Sequence, residues 1–141
     1  MALSTRSKND EAQEAREAHP RMILGHLGEL LAADRLRREG YVILERNYRC
    51  PSGEIDLIAR EENVLVFVEV RTRTSEGFGT PLETIDFGKQ RRIREVARHY
   101  LRERRPCFQD VRFDVVGVLL KEGEEARVEI VPHAFYQGQL R

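Results

Sequence analysis

The sequence predicts an α/β fold: a mixed central sheet flanked by helices, in the order α-β-β-β-α-β-β. Three features point to it. Two segments, Ile23 to Glu39 and Asp86 to Arg105, carry apolar residues at helical spacing. Val64 to Arg71 is nearly all apolar and β-branched, the composition of a central strand covered on both faces. The segments between them alternate or end in turn-forming residues, as strands do. The 141-residue length suits one domain, taken as residues 21–136, with an extension at 1–20 and a tail at 137–141.

Residues 1–20 are polar and charged, rich in Ala, Glu and Arg, with no apolar stripe. They read as a disordered or loosely helical extension that Pro20 ends. In the first helix Leu24, Leu27, Leu31, Ala32 and Leu36 form one stripe, and Gly40 closes it. Tyr41 to Tyr48 is extended around Val42, Ile43 and Leu44, and 49–53 is a turn. From Glu54 to Arg60 the residues alternate, Ile55, Leu57 and Ala59 on one face and Glu54, Asp56 and Ile58 on the other. Glu61, Glu62 and Asn63 connect this strand tightly to the apolar one.

Thr72 to Leu82, rich in Thr, Gly and Ser, reads as a mobile loop. In the second helix Ile93, Val96, Ala97, Tyr100 and Leu101 fall at core spacing, and Pro106 ends it. Val111 to Leu120 and Arg127 to Phe135 are strands separated by the acidic turn 121–125.

The composition excludes several classes. Lys+Arg equals Asp+Glu at 24 each, so the chain is no generic polycation. Its apolar runs are too short to span a bilayer, and the N-terminus has no apolar signal-peptide region. Cys50 and Cys107 lie far apart and form no metal-binding pair, so a reducing cytosol is the default compartment. The distribution of charge is informative. From Lys89 to Arg105 the chain carries Lys89, Arg91, Arg92, Arg94, Arg98, Arg102, Arg104 and Arg105 against Glu95 and Glu103. With few i,i+4 partners, this helix suits a phosphate backbone, although a solvated face would read the same way.

Glu69 interrupts the most apolar strand, where a lone carboxylate is costly unless it is paired or binds a metal. Arg71 shares its face, and Asp56 lies on the preceding strand. A two-residue loop at Glu62-Asn63 sets Asp56 opposite Glu69, and a four-residue loop sets it opposite Phe67 on the same face as Glu69, whereas an odd loop puts the two acids on opposite faces. The even register also gathers Ile55, Leu57 and Ala59 with Val66, Val68 and Val70, and it places the carboxylates about 5–8 Å apart at Cα level. Two such carboxylates repel unless a cation joins them. Oxygen ligands of this kind suit Mg²⁺ or Mn²⁺, with the Val70 backbone carbonyl as a further ligand. The plainer alternative is a salt-bridge network with Arg71 or Arg46. Glu54 shares Asp56's face but reads as a solvated hairpin end.

These residues sit among motifs: G-x-x-G-E from Gly25 to Glu29, then G-E-I-D-L-I-A, V-F-V-E-V-R, K-Q-x-x-I and R-F-D-V-V. Together, over about Ile23 to Phe135, they resemble the YraN-like bacterial family of the PD-(D/E)XK nuclease superfamily. That resemblance implies a restriction-endonuclease-like fold and a metal-dependent DNA nuclease, similar by analogy to archaeal Holliday-junction resolvases that act on branched DNA. It implies that Asp56 and Glu69 hold the metal and that Glu29 of the first helix assists. The departure is Arg71, where the superfamily pattern has Lys: an Arg can clamp phosphate but cannot accept a proton. Arg73, Lys89, Gln90, Arg91, Arg94 and Arg98 are the expected nucleic-acid contacts, and the Arg73 to Gly79 loop is placed to close over substrate. A catalytically weak nucleic-acid-binding module and a protein-interaction factor on the same fold are the competing readings. A homodimer presenting two sites is compatible with so small a footprint.

Overall fold

The computed structural model describes residues 7–77 and 79–135. Its elements are α1 (Lys8–Arg38), β1 (Val42–Cys50), β2 (Gly53–Glu61), β3 (Val64–Arg73), α2 (Phe87–Arg104), β4 (Asp110–Leu119) and β5 (Arg127–Val131), with a short 3-10 turn at Leu82–Thr84. The strands form one sheet in chain order, β1-β2-β3-β4-β5. β3 and β4 are parallel and the other pairs antiparallel. The α2 crossover makes the parallel pair possible, since parallel neighbours need a long connection.

Each helix covers one face of the sheet. On one side Ile93, Val96, Ala97 and Tyr100 of α2 pack on Ile58, Leu65, Phe67, Phe113 and Val115. On the other, Ala32, Ala33 and Leu36 of α1 pack on Leu57, Ala59, Val66, Val68, Val116 and Val118. β3 is therefore buried on both faces, as its composition requires. Among the described residues no helix is long and apolar enough to cross a membrane.

α1 corrects the expected extension. Ser7 caps it with a capping box: its Oγ accepts from the amides of Asn9 and Asp10, and Asp10 accepts from the Ser7 amide. The helix then runs through Pro20 instead of starting after it. Pro20 itself is solvent-exposed. Residues 1–6 and the expected tail at 137–141 lie outside the described residues. At the other end Gly40 (φ 95°) closes a Schellman turn, with Tyr41 N–H on Leu36 O and Gly40 N–H on Arg37 O.

The buried stripe of α1 also differs from the expected one. Leu27 is exposed, and the contact is made by small residues, Gly28, Ala32 and Ala33. They bring the helix so close to the sheet that a Cβ on Gly28 would lie 1.9 Å from Thr72 Oγ1 and 3.0 Å from its Cβ. Rotating the hydroxyl away leaves the second contact, so the helix itself must move. Gly28→Ala is expected to cost about 2 kcal/mol by overpacking, read as a lower urea midpoint, with partial recovery in Gly28→Ala/Thr72→Ala.

The strands depart from simple alternation at two places. Asn47 adopts a left-handed φ of 53°, and beyond it Tyr48 and Ile55 pack on the α2 side. Ile55 is thus separated from Leu57 and Ala59, against the expected single face. In β1, a shift between Ile43 and Glu45 leaves Val42 and Leu44 largely exposed. β3 extends through Thr72 and Arg73, so the expected loop is shorter and ends in the 3-10 turn. β5 stops at Val131. Beyond it Ala134 N–H bonds Phe113 O and Phe135 stacks on Phe113, so the segment packs without pairing as a strand.

Candidate functional site

The β2–β3 hairpin turns over Glu62-Asn63, with Glu61 paired to Val64 and pairing continuing to Leu57 opposite Val68. This is the two-residue register. There the pairing ends, and Asp56, the next residue, turns its carboxylate toward β3: its Oδ2 accepts the Val70 N–H at 2.8 Å. At Val70 it is the amide that meets Asp56. Asp56 also shares a hydrogen bond with Glu69. Glu69 is only 7% exposed, one of two buried acids among the described residues.

Burial, followed by the nearby charge of Glu69, pushes the Asp56 carboxyl up to about 8. Its bond from the Val70 amide only partly offsets this. At neutral pH Asp56 therefore keeps its proton unless a cation takes its place.

Two further carboxylates complete the group. Glu29 of α1 and Glu54 of β2 each bring an oxygen to Asp56, the three ligand atoms lying within 4.8 Å of one another. The Glu29 carboxyl is raised by burial and then by Glu54. Glu29, which the resemblance placed at the site, lies among these acids. Glu54 departs from its reading as a solvated hairpin end, although its strand parity with Asp56 was the signal. Asn47 is the residue that sequence reasoning missed. With its amide NH₂ assigned toward the acids, as two acceptors require, it donates to Glu54 Oε1 at 3.1 Å and to Glu29 Oε2 at 3.0 Å. Its left-handed backbone, which Asn tolerates, aims it there.

The cation at Glu69 comes from α2. Lys89 Nζ lies 2.8 Å from Glu69 Oε1. Arg71, expected there from its parity, turns instead to the 3-10 turn, its Nε donating to Thr84 Oγ1 at 3.0 Å and its Nη2 to Thr84 O at 2.6 Å. Thr84 offers the guanidinium two oxygens in the fork geometry it favours. Asp86 caps α2 by accepting from the Lys89 amide at 2.8 Å, which fixes the first turn with Lys89 beside the sheet. Asp56, Glu69, Lys89 and Arg92 line an open cleft of about 350 Å³.

The other expected contacts are spread around this cleft. Gln90 holds the helix start by donating to Ile85 O at 3.3 Å, away from the acids. Arg91 is exposed. Arg98 pairs with Glu95, and Arg94 is half-buried. Arg73 donates to Gly79 O, pinning the loop it was expected to share with substrate; Phe78 of that loop lies outside the described residues.

Chemically, Glu29, Glu54 and Asp56 form a set of hard oxygen donors that could hold a metal ion, two of them raised by burial and by neighbouring acids, with Glu69 beside Asp56.

Residues 28–118, a span that includes all of these side chains, match the uncharacterised protein family UPF0102. Similar chains include a UPF0102 protein of Moorella thermoacetica, 50% identical over 112 residues that span 79% of this chain and 93% of that one. A UPF0102 protein of Rhodococcus opacus is 48% identical over 114 residues, 81% of this chain and 97% of its own. One from Syntrophotalea carbinolica is 47% identical over 117 residues, 83% and 94% of the two chains. This chain therefore belongs to the uncharacterised protein family UPF0102, the YraN-like family its motifs resemble.

Proposed function

We propose that this protein is a divalent-metal-dependent nuclease that hydrolyses DNA phosphodiesters on a restriction-endonuclease-like fold. The observation that carries the reading is the Asp56–Glu69 pair at the point where β2 and β3 part, with Glu29 and Glu54 beside it and Lys89 upon it. A divalent cation held there supplies Lewis-acid activation of water and neutralises phosphate charge. Glu69, nearly buried, is oriented by Lys89, and Asp56 by the Val70 amide. Lys89 and Arg92, at the cleft wall, take the phosphate being cut, while Arg91 and Arg94 along α2 hold its neighbours. Arg71 secures the 3-10 turn from which α2 starts, so Lys89 takes the place that the superfamily gives to the Lys of its E-x-K element.

A binding module with weak or no catalysis is the second reading, favoured by Arg71 at the superfamily's Lys position. Single-turnover cleavage of linear and branched DNA with Mn²⁺, alongside binding, separates the two. Nuclease activity predicts that Lys89→Met slows cleavage about a hundredfold with binding nearly intact, since a positioned electrostatic group acts mainly in the transition state. Arg71→Lys should cleave within a few-fold of the parent. If Arg71→Ala is more damaging than Lys89→Met while the fold is retained, Arg71 is the phosphate ligand and the assignment of Lys89 fails. Tight, metal-sensitive binding with no cleavage of any substrate establishes the second reading.

A further inference from the structure

The start of α2 carries a feature that the cleavage site does not use. Phe87, the first residue of the helix, is 81% exposed, the most exposed large apolar side chain among the described residues. Its position is not loose: Ile85 before it and Ile93 after it are both buried, and Asp86 caps the helix between them. The ring is therefore held out into solvent by anchored backbone on both sides. A ring held this way offers flat apolar area whose exposure cost an occupant removes on binding.

The surroundings select the occupant. Arg91 and Arg94 follow Phe87 at i+4 and i+7, so ring and guanidinium groups share one stripe of α2. Lys89, two residues from the ring, sits on Glu69 in the cleft. An apolar protein partner would have to dehydrate these cations. A polyanion that also offers flat aromatic faces satisfies both parts of the surface. Within a continuous duplex each base face is already stacked on its neighbour, so only an unpaired or terminal base has a face to give.

Building on the proposed nuclease reading, we propose that Phe87 is a base-stacking platform that selects nucleic acid with unpaired nucleotides next to a duplex, its phosphates lying along Arg91 and Arg94. One base stacks on the ring and the strand beyond it enters the carboxylate cleft. The substrate class is thus a junction between paired and unpaired strands.

The test uses fluorescence anisotropy with two labelled DNAs of equal length in phosphate count, a blunt duplex and a duplex with a single-stranded overhang, at one low salt concentration with chelator present. The parent protein should bind the overhang substrate about tenfold more tightly, the scale of one stacked base. Phe87→Ala should bring the two to parity while duplex affinity stays unchanged. The chain contains no Trp, so Phe87→Trp installs a single reporter. It should keep the preference, and its emission should be quenched by the overhang substrate and not by the blunt duplex. An unchanged preference in Phe87→Ala, or equal losses on both DNAs, overturns the platform and leaves the nuclease reading standing. Self-association in sedimentation that Phe87→Ala abolishes identifies a second copy as the occupant and also overturns it. Failure of the parent to bind either DNA overturns the nuclease reading itself, and the platform with it.

Discussion

Asp56→Asn is expected to abolish the proposed divalent-cation binding and to raise the stability of the cation-free protein at pH 8 by about 3 kcal/mol. Between its ordinary value of 3.8 and about 8, the folded protein keeps a proton on Asp56 that the unfolded chain has released. The folded state binds more protons in that window, so stability of the parent falls as pH rises from 5 to 8. The full shift would give more than the figure above; the carboxyl is only partly shielded from water, which screens it. Asn keeps the oxygen that accepts the Val70 N–H and adds donors toward Glu69, with no charge to desolvate.

Thermal unfolding from pH 5 to 8 in chelator checks this: a falling midpoint in the parent, a much flatter profile in Asp56→Asn. Millimolar Mn²⁺ at pH 8 should restore the parent by mass action and leave the variant unmoved. Cleavage should fall at least a thousandfold in the variant, because the cation's charge stabilisation is lost with it. Parallel pH profiles, together with equal Mn²⁺ stabilisation of both proteins, would show that Asp56 is not a ligand.

The second large effect lies away from the cleft. Asp114 of β4 is fully buried and accepts four hydrogen bonds: from Tyr41 Oη at 2.9 Å, from Arg112 Nε at 2.9 Å and Nη2 at 3.2 Å, and from the His133 amide at 3.2 Å. Arg112 in turn reaches Glu61 at 3.1 Å and the Tyr41 hydroxyl at 2.6 Å. The network ties the exit of α1, the end of β2, β4 and the segment after β5 into one buried knot. Burial and the Asp114 charge together raise the Tyr41 phenol, keeping it a donor.

Asp114→Asn leaves the nearly buried Arg112 with the partly exposed Glu61 as its counter-charge and should cost about 3 kcal/mol, a drop of roughly 10 °C in midpoint. The double substitution Asp114→Leu/Arg112→Met should recover most of it, since removing both charges removes both desolvation costs. Urea unfolding of the three proteins decides; a loss below about 1 kcal/mol in Asp114→Asn would mean that the knot is not a major support of the fold. DNA binding by the folded variant should be normal, which separates this acid from those of the cleft.

The sequence by itself determined the element order, the boundaries of α2, the even register of the β2–β3 hairpin and the common face of Asp56 and Glu69; the structure chose the two-residue loop. These follow from covalent constraints. Side chains alternate along a regular strand, and loop length fixes which residues face each other. The same parity carried the clue to Glu54. Only the tertiary structure decided that Lys89, not Arg71, meets Glu69. Parity says which face Arg71 leaves by, but its long side chain is free to choose among partners on that face, and the oxygens of Thr84 are nearer the guanidinium's geometry. Lys89 lies on a helix whose rotation and depth are set by how Ile93, Val96 and Ala97 seat on the sheet, which no local pattern encodes. The same holds for Asn47, whose left-handed backbone turns Tyr48 and Ile55 to the other core, and for Gly28, whose missing Cβ matters only because Thr72 lies beneath it. Periodicity specifies direction along an element; distance between elements is a property of packing.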